Sequence, residues 1–336
     1  MRWLLRLLLL LALAGLAVTA AAWWWLQRPL ALATPTVEVS IEPGIAPRRV
    51  AELWVEAGVQ APSWLLYEWF RWSGQSRQIR AGSYEIESGV TPRQLLDKMV
   101  RGEEILESVR FAEGGTFAQM REAMARAPSL KPATRGLTDA QVMAALGEPG
   151  QSPEGRFFPD TYAYSRGVSD LTVLRRAQAV MLRRLVSLWA ERAADLPLKS
   201  MDEALILASI VEKETGRDAD RGLVAAVFVN RLRIDMPLQT DPTVIYGLGA
   251  AFDGNLRKRD LLADTPYNTY TRRGLPPTPI AMPGAASLRA AVQPARSRAL
   301  YFVARSDGSG GSVFSESLAD HNRAVNQFQR GSKGSP

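Results

Sequence analysis

The first stretch of the chain is apolar without interruption. Residues 7–26 carry no charged side chain, and Arg2 and Arg6 precede them. A helix of this length spans about 30 Å, which is the thickness of the hydrocarbon core of a bilayer. The positive-inside rule then puts residues 1–6 in the cytoplasm. The pattern predicts a single-pass membrane helix, followed by a linker over 27–36.

The alternative interpretation of this stretch is a cleaved signal peptide, because VTAAA has small residues at an Ala-x-Ala-like spacing. The apolar run is long for a signal peptide, and Trp23, Trp24 and Trp25 fall where an aromatic belt at the membrane surface is expected. We therefore favour the anchor. Under either interpretation the following residues lie outside the cytoplasmic membrane, where no ATP is available, and this argues against a nucleotide-driven enzyme.

Between residues 37 and 108 the pattern predicts a small module with the order strand, helix, helix, strand. Residues 37–41 alternate between apolar and polar side chains, which is the period of a half-buried strand. Two helical patterns end at Gly58 and Gly74, and a second strand is predicted over about 79–86.

Residues 109–330 are predicted to form one mixed domain in which helices dominate. Thr116 and Thr138 each begin a capping box, and Ser169 precedes a long amphipathic pattern that ends by Pro197. The whole chain is therefore assigned to the α+β class, with an N-terminal transmembrane helix.

The last part of this domain contains the densest local signals. Helices are predicted over 202–215 and 220–233. The stretch 236–283 holds seven prolines, too many for a regular core element, and predicts a long irregular segment with a function. The remaining predicted elements are a hairpin over 300–315, a helix over 317–329 and a disordered tail over 331–336.

Composition narrows the chemistry. The 336 residues include no Cys and a single His, His321. This excludes disulfides, thiolate metal sites and Cys nucleophiles, and it leaves no His pair for a zinc site. We expect no metal and no cofactor, and we expect His321 to make a structural hydrogen bond. Catalysis would then fall to Asp, Glu, Lys, Tyr or Ser.

The net charge of +7 could attract nucleic acid, anionic lipid or an acidic polymer. Only six of the 41 basic residues are Lys, and no zinc-finger, bZIP or RRM signature is present. A solvated, Arg-rich surface is the favoured interpretation, and no nucleic-acid partner is expected.

The helix predicted over 202–215 ends in two carboxylates. Its first part is apolar on almost all sides, so we expect it to be buried, with Asp202 capping its start. Glu212 and Glu214 occupy the last turn, where the helix dipole disfavours an ionised carboxylate and raises its pKa toward that of a general acid.

The spacing of two separates these side chains by about 200° around the helix. One is expected to face a cleft, and the other to pair with an Arg or a backbone donor. The alternative is that both are solvated at a fraying helix end.

A carboxyl of raised pKa suits cleavage of a sugar polymer, because it can protonate the glycosidic oxygen. A conventional hydrolase needs a second carboxylate, and Asp241 and Asp264 are available, although the sequence does not set their distance. Aromatic rings can stack on the faces of sugars, and side-chain amides can bond the hydroxyl and acetamide groups of sugars. Each aromatic taken singly, however, is more often part of a hydrophobic core. Candidates of these kinds are Phe157, Phe158, Tyr246, Tyr267, Tyr270, Asn230, Gln239 and Asn268.

One set of strings along the chain carries a specific resemblance: LASIVEKETG (207–216), VFVNRLRIDMPLQTDPTVIYGLG (227–249), YNTY (267–270), GLPPTPIAMPGAASLRAA (274–291), YFVA with FSESLADHN (301–322), GRFFPDTY (155–162) and AGSY (81–84). These strings closely resemble the YceG-like (MltG) family of endolytic murein transglycosylases, and QTDPTVIYG with YNTY is a highly specific pair. The resemblance covers nearly all of the chain beyond the anchor. One departure is the turn EGGT at 113–116, where relatives often have a large third residue.

The resemblance implies an enzyme of the inner membrane, with a LysM-like module over 37–108 ahead of a catalytic domain over 109–330. Its substrate would be the nascent glycan strands of peptidoglycan, and its cut would terminate their elongation. It suggests coupling to peptidoglycan polymerases and transpeptidases, although no motif identifies a contact.

Other lytic transglycosylases carry the catalytic residue in an apolar helix that ends in Glu-Ser, and this alignment selects Glu214. The implied reaction uses Glu214 alone, first as acid on the MurNAc–GlcNAc bond and then as base on the muramyl C6 hydroxyl. The product is a 1,6-anhydro end, formed without water. The substrate-binding residues implied or proposed are Glu212, Asn230, Gln239, Thr240, Asp241, Tyr246, Tyr267, Asn268 and Tyr270.

Two other functions compete with this one. A non-catalytic glycan-binding scaffold of the wall-synthesis machinery would use the same fold, but the intact Glu214 disfavours it. A conventional glycoside hydrolase would leave reducing ends, which are heavier than anhydro ends by one water.

Overall fold

The computed structural model describes residues 2–308 and 310–330, so the predicted tail over 331–336 lies outside it. The chain is a mixed α+β protein with an apolar N-terminal helix, as the sequence predicts. It divides into two compact units. Unit 1 comprises the chain up to Glu107 together with Ala163–Val168, and unit 2 comprises Ser108–Tyr162 and the chain from Ser169 onward.

Unit 1 has the predicted order of strand, helix, helix and strand after its first helix. Its second strand begins at Gly82, later than the predicted start near residue 79, and a short 3₁₀ turn over Ser76–Gln78 precedes it. The elements of unit 1 are α1 (Arg2–Gln27), β1 (Thr36–Ile41), α2 (Pro47–Glu56), α3 (Ser63–Trp72), β2 (Gly82–Glu87) and α4 (Pro92–Arg101).

The two strands of unit 1 form an antiparallel pair over its helices. β1 and β2 run from Thr36 opposite Glu87 to Ile41 opposite Gly82. The predicted alternation holds, since the three apolar side chains of β1 are buried and the polar ones are exposed. They join a core around Trp54, which is fully buried and whose indole N–H lies 3.3 Å from the sulfur of Met99.

Helix α1 is the one helix in the described part of the chain that is long and apolar enough to cross a bilayer. At its end the guanidinium of Arg28 lies 3.6 Å from the centre of the Trp24 ring, while Trp25 packs against the core of unit 1. The apolar helix therefore leads directly into a folded module.

The segment 163–168 belongs to unit 1, although the sequence assigns it to the second domain. Within this segment, the guanidinium of Arg166 donates to Glu38 at 2.7 Å and to Glu107 at 3.1 Å. Such a pairing of residues far apart in the sequence leaves no local pattern.

Two further strands, β3 and β4, form a two-stranded sheet. Another antiparallel pair, β5 with β6, is the predicted hairpin. The remaining elements are β3 (Leu106–Arg110), α5 (Phe117–Arg126), α6 (Asp139–Ala145), β4 (Thr161–Ser165), α7 (Asp170–Ala190), α8 (Met201–Glu214), α9 (Asp218–Arg233), α10 (Asp241–Leu248), α11 (Lys258–Leu262), α12 (Ala285–Val292), β5 (Tyr301–Ala304), β6 (Ser312–Ser315) and α13 (Leu318–Val325).

Helix α8 is the centre of unit 2. Every residue from Ala204 to Val211 is buried, and α7, α9 and α12 pack against the helix. The predicted cap is wrong: Ser200 caps the helix by accepting from the N–H of Glu203 at 3.2 Å. Asp202 lies in the first turn and pairs with Arg156 at 3.1 Å. Both arrangements satisfy the positive end of the helix.

The prediction of an irregular stretch over 236–283 is wrong in part, because α10 and α11 lie within it. Pro242 lies in the first turn of α10. The N–H groups of a first turn have no acceptor within the helix, so the missing N–H of proline costs nothing there, and its fixed φ suits a helix. The count of prolines is therefore compatible with short helices between them.

A close contact at Gly155 gives a testable prediction for unit 2. Gly155 has φ of 78°, and a Cβ there would lie 2.6 Å from the Cβ of Pro279. Gly150 has φ of 82°, but a Cβ there would meet nothing within 4 Å. Both Ala variants place a side chain on left-handed backbone, and only Gly155→Ala also overlaps a neighbour.

We expect Gly155→Ala to lower the free energy of unfolding by about 2 kcal/mol more than Gly150→Ala, measured by urea unfolding of the full chain in detergent. Equal losses in the two variants would contradict the packing described.

Candidate active site

The last turn of α8 brings Glu214 to the wall of a cleft of about 360 Å³, referred to below as the Glu214 cleft. The buried body of the helix fixes where this turn ends, so the carboxyl is held by the core. Side chains from α9, α10, β5 and α13 complete the walls, and they include Arg231, Asp241 and His321.

Glu214 is held in an environment that disfavours its charge. Burial raises the pKa of its carboxyl above the usual value, and the nearby Asp241 adds to the rise. Two groups act in the opposite direction: the hydroxyl of Thr240 donates to Oε1 of Glu214, and the positive charge of Arg231 lies near. Burial is the largest effect, so the carboxyl is a stronger proton binder than a solvated Glu.

The segment that carries Thr240 is pinned by hydrogen bonds. The N–H of Thr240 donates to Oγ1 of Thr269 at 3.1 Å, and its carbonyl accepts from Oγ1 of Thr243 at 2.8 Å. Gln239 has φ of 49°, a left-handed conformation that is uncommon for a residue with a side chain. Its N–H donates to the carbonyl of Thr269 at 3.0 Å. Strained backbone held in this way is frequent at functional sites.

Arg231 is a buried cation beside Glu214 that the sequence analysis missed. It donates to the carbonyl oxygens of Leu300 and Leu238, each at 2.7 Å, and so ties β5 to the segment before Thr240. Burial lowers the pKa of its guanidinium. The available signal was an Arg within the apolar pattern VFVNRLR of α9.

Asp241 and Tyr270 form a pair at the mouth of the cleft. The hydroxyl of Tyr270 donates to Oδ1 of Asp241 at 2.5 Å, and burial raises the pKa of this Tyr. Asp264, the other carboxylate considered from the sequence, instead pairs with Arg272 at 2.8 Å. Of the predicted residues, Gln239, Thr240, Asp241 and Tyr270 are thus gathered around Glu214.

Glu212 points elsewhere. Its Oε2 accepts the N–H of Gly284 at 2.9 Å, directly before α12. This is the division of roles that the spacing of two predicts, with one carboxylate in a cleft and the other on a backbone donor. The EGGT turn lies against the same end of α8, where Nζ of Lys213 donates to the carbonyl of Gly114 at 3.2 Å.

The two predicted Asn residues bond to backbone. The side-chain amide of Asn268 donates to the carbonyls of Leu261 at 3.1 Å and Ala263 at 2.6 Å. Its oxygen accepts the N–H of Tyr270 at 2.9 Å, so it orients the segment that carries Tyr270. Asn230 is outside the Glu214 cleft and donates to the carbonyls of Ser297 and Ala299 at 2.9 Å.

The remaining predicted aromatics do not line the Glu214 cleft. Phe157 and Phe158 are buried in the core, as the alternative interpretation holds. Tyr246 and Tyr267 meet edge to face, with ring centres 5.0 Å apart, beside a second space of about 770 Å³. His321 stacks on Tyr301 within the Glu214 cleft, at 5.2 Å between ring centres.

Glu154 lies in the wall of the second space, called here the Glu154 cavity, and is 5% exposed. Its Oε1 accepts the N–H of Phe117 at 3.0 Å, and its Oε2 accepts the hydroxyl of Tyr246 at 3.1 Å. Burial raises the pKa of Glu154 from 4.5 to about 7. The sequence analysis missed this residue, although it directly precedes the string GRFFPDTY.

Comparison with known proteins identifies the family. The model of the YceG-like family matches residues 39–327. The chain belongs to the YceG-like family. This confirms the resemblance found in the sequence, and it extends over both units.

Proteins named endolytic murein transglycosylase are among the relatives of this YceG-like chain. That of Bacillus subtilis strain 168 is 30% identical over 310 residues, covering 87% of this chain and 85% of the relative. That of Streptococcus pneumoniae R6 is 28% identical over 280 residues, covering 74% of this chain. The chain spans about half the length of this second relative, covering 50% of it. The enzyme class predicted from the sequence is the one for which these relatives are named.

A solved structure supports the same family. The crystal structure of a putative yceG-like protein of Listeria monocytogenes superposes with a TM-score of 0.54 at 29% identity, covering 86% of this chain and 98% of that one. The fold described above is therefore one that the family adopts.

The contact between Thr240 and Glu214 predicts a shift in pKa. Thr240→Val removes a donor that favours the ionised carboxylate, so we expect the pKa of Glu214 to rise above its value in the unaltered protein. The pKa is measured by NMR, by following the ¹³C chemical shift of the Glu214 carboxyl as a function of pH. The signal is assigned by its absence in Glu214→Gln.

Thr243→Val is the comparison variant. Its hydroxyl bonds Thr240 and Thr269 and not Glu214, so it measures the effect of loosening the segment while the donor to Glu214 is kept. A fall in the pKa of Glu214 in the Thr240 variant would contradict the assignment.

Proposed function

We propose that this protein is a membrane-anchored endolytic transglycosylase that cuts the MurNAc–GlcNAc β-1,4 bond of nascent peptidoglycan strands. One observation carries the proposal: a carboxyl of raised pKa, Glu214, opens into a polar cleft at the end of a buried helix. The family, whose named relatives are murein transglycosylases, supports peptidoglycan as the substrate.

In the first half of the proposed reaction, protonated Glu214 gives its proton to the glycosidic oxygen. The bond from that oxygen to the muramyl C1 breaks, and GlcNAc leaves with a free 4-hydroxyl while an oxocarbenium-like centre forms at C1. Burial supports this step, because it raises the pKa of Glu214 and so favours the protonated form that a general acid needs.

In the second half, the carboxylate of Glu214 takes the proton of the muramyl C6 hydroxyl, and O6 attacks C1. The product is a 1,6-anhydro end, no water is consumed, and Glu214 is protonated again. Thr240 and Arg231 support this half, because both stabilise the carboxylate that exists between the two proton transfers. One residue can thus serve both steps.

The surroundings of Glu214 favour this mechanism over hydrolysis by two carboxylates. Asp241 is engaged by Tyr270, and Asp264 is paired with Arg272. We propose that Gln239, Thr240 and Asp241 contact the sugar at the reacting bond, with Tyr270 beside them. Glu212 and Asn268 would act by holding the backbone around the cleft.

We propose that α1 is a single-pass anchor in the inner membrane, with the rest of the chain on its outer face. The apolar length of α1 and the flanking Trp and Arg residues support this. The antiparallel pair and two helices of unit 1 support a LysM-like module. Glycan polymerases and transpeptidases are the proposed protein partners. The proposed division of the chain is 1–6 cytoplasmic, 7–26 membrane helix, 27–36 linker, 37–108 LysM-like module and 109–330 catalytic domain.

The two carboxylates of the last turn of α8 provide the test. We expect Glu214→Gln to lower cleavage of uncrosslinked glycan strands about 10²–10⁴-fold, since it removes the acid and keeps the shape. Glu212→Gln retains an oxygen that can accept the N–H of Gly284, so it should keep most of the activity. Mass spectrometry of the digest measures both the rate and the nature of the ends.

Anhydromuramyl ends from the unaltered enzyme, absent with Glu214→Gln, are the expected result. Reducing ends would show a hydrolase. Strand binding without cleavage by the unaltered protein would favour the scaffold function, and loss of activity in Glu212→Gln alone would reverse the roles of the two residues.

A further inference from the structure

We propose that the Glu154 cavity is a second glycan subsite, which binds the strand beyond the bond that is cut and contacts it through Glu154 and Tyr246. The inference rests on the proposed function, since it names where the same substrate continues. It extends that function by adding a binding residue, Glu154, outside the Glu214 cleft.

The position of the cavity is the first argument. Consecutive residues of α8 divide between the two spaces, with Lys213 lining the Glu154 cavity and Glu214 lining the cleft. The start of α10 divides in the same way, between Pro242 and Asp241. Both spaces therefore border the same two helix ends, and a strand cut internally must continue past the acid in both directions.

The size and chemistry of the cavity are the second argument. Its volume of about 770 Å³ exceeds that of the Glu214 cleft and lies in the range of small-molecule sites. The lining combines the rings of Tyr246 and Tyr267 with the polar side chains of Thr116, Ser152 and Lys213. Rings that can stack on sugar faces and polar groups that can bond hydroxyls and acetamides are what an uncharged saccharide requires.

Glu154 is the third argument, because its burial is costly. Each oxygen of the carboxyl accepts one hydrogen bond from the protein, which leaves further lone pairs on both. With a pKa of about 7, the group exists in both forms near neutral pH. It can therefore accept from a sugar hydroxyl when ionised, or donate to an acetamide oxygen when protonated.

The test compares Glu154→Gln and Tyr246→Phe with the unaltered full chain, using uncrosslinked glycan oligomers of defined length. We expect KM to rise about tenfold on long strands, as the loss of a hydrogen bond to a charged group predicts, with kcat little changed. On the shortest oligomer that is cut, KM should not change, because such a substrate does not reach the cavity. Glu122→Gln is the matched control: it removes an exposed carboxylate of α5 outside the cavity.

An equal loss on all lengths would show that Glu154 only joins α5 to α10, and no loss on any length would also overturn the proposal. Binding separates this inference from the proposed function. In the Glu214→Gln background, adding Glu154→Gln should weaken retention of long strands about tenfold. Equal retention would overturn the subsite. Cleavage of no strand by the unaltered chain would overturn only the proposed activity.

Discussion

The burial of one carboxyl at the end of α8 is the constraint on which the site depends. An ionised group there loses much of the stabilisation that water gives it, so burial raises the pKa of Glu214 above the value of a solvated Glu. The apolar body of α8 is also the centre of the core of unit 2. The same packing that stabilises unit 2 therefore also positions the carboxyl of Glu214.

A carboxyl that bound its proton too tightly would be a poor donor in the first step of the reaction. Thr240 and Arg231 correct this by favouring the carboxylate, and each is itself held by other groups. Thr269 holds Thr240, and Arg231 holds the carbonyl of Leu238. The left-handed backbone at Gln239 is a destabilising conformation that these bonds maintain. The segment around Gln239 is thus locally less stable, and the hydrogen bonds of Thr240 and Arg231 hold it in place.

The sequence predicted what local patterns determine. The order of elements in unit 1, the burial of α8 and the division between Glu212 and Glu214 all follow from periodicity and spacing. Helix α10 was missed because its proline was interpreted as a breaker, although it occupies the one turn that tolerates it. Glu154 and Arg231 were missed for another reason. Their roles come from contacts with Tyr246 and Leu300, which lie 92 and 69 residues away along the chain.

Helix α10 borders both the Glu214 cleft and the Glu154 cavity. Helix α10 begins at Asp241, on the Glu214 cleft, and one turn later presents Tyr246 to Glu154. A displacement of α10 would therefore change both spaces together. Because Glu154 accepts the N–H of Phe117 as well, its carboxyl links the start of α5 to α10. One helix therefore lies beside both spaces, with Asp241 on the Glu214 cleft and the ring of Tyr246 on the Glu154 cavity.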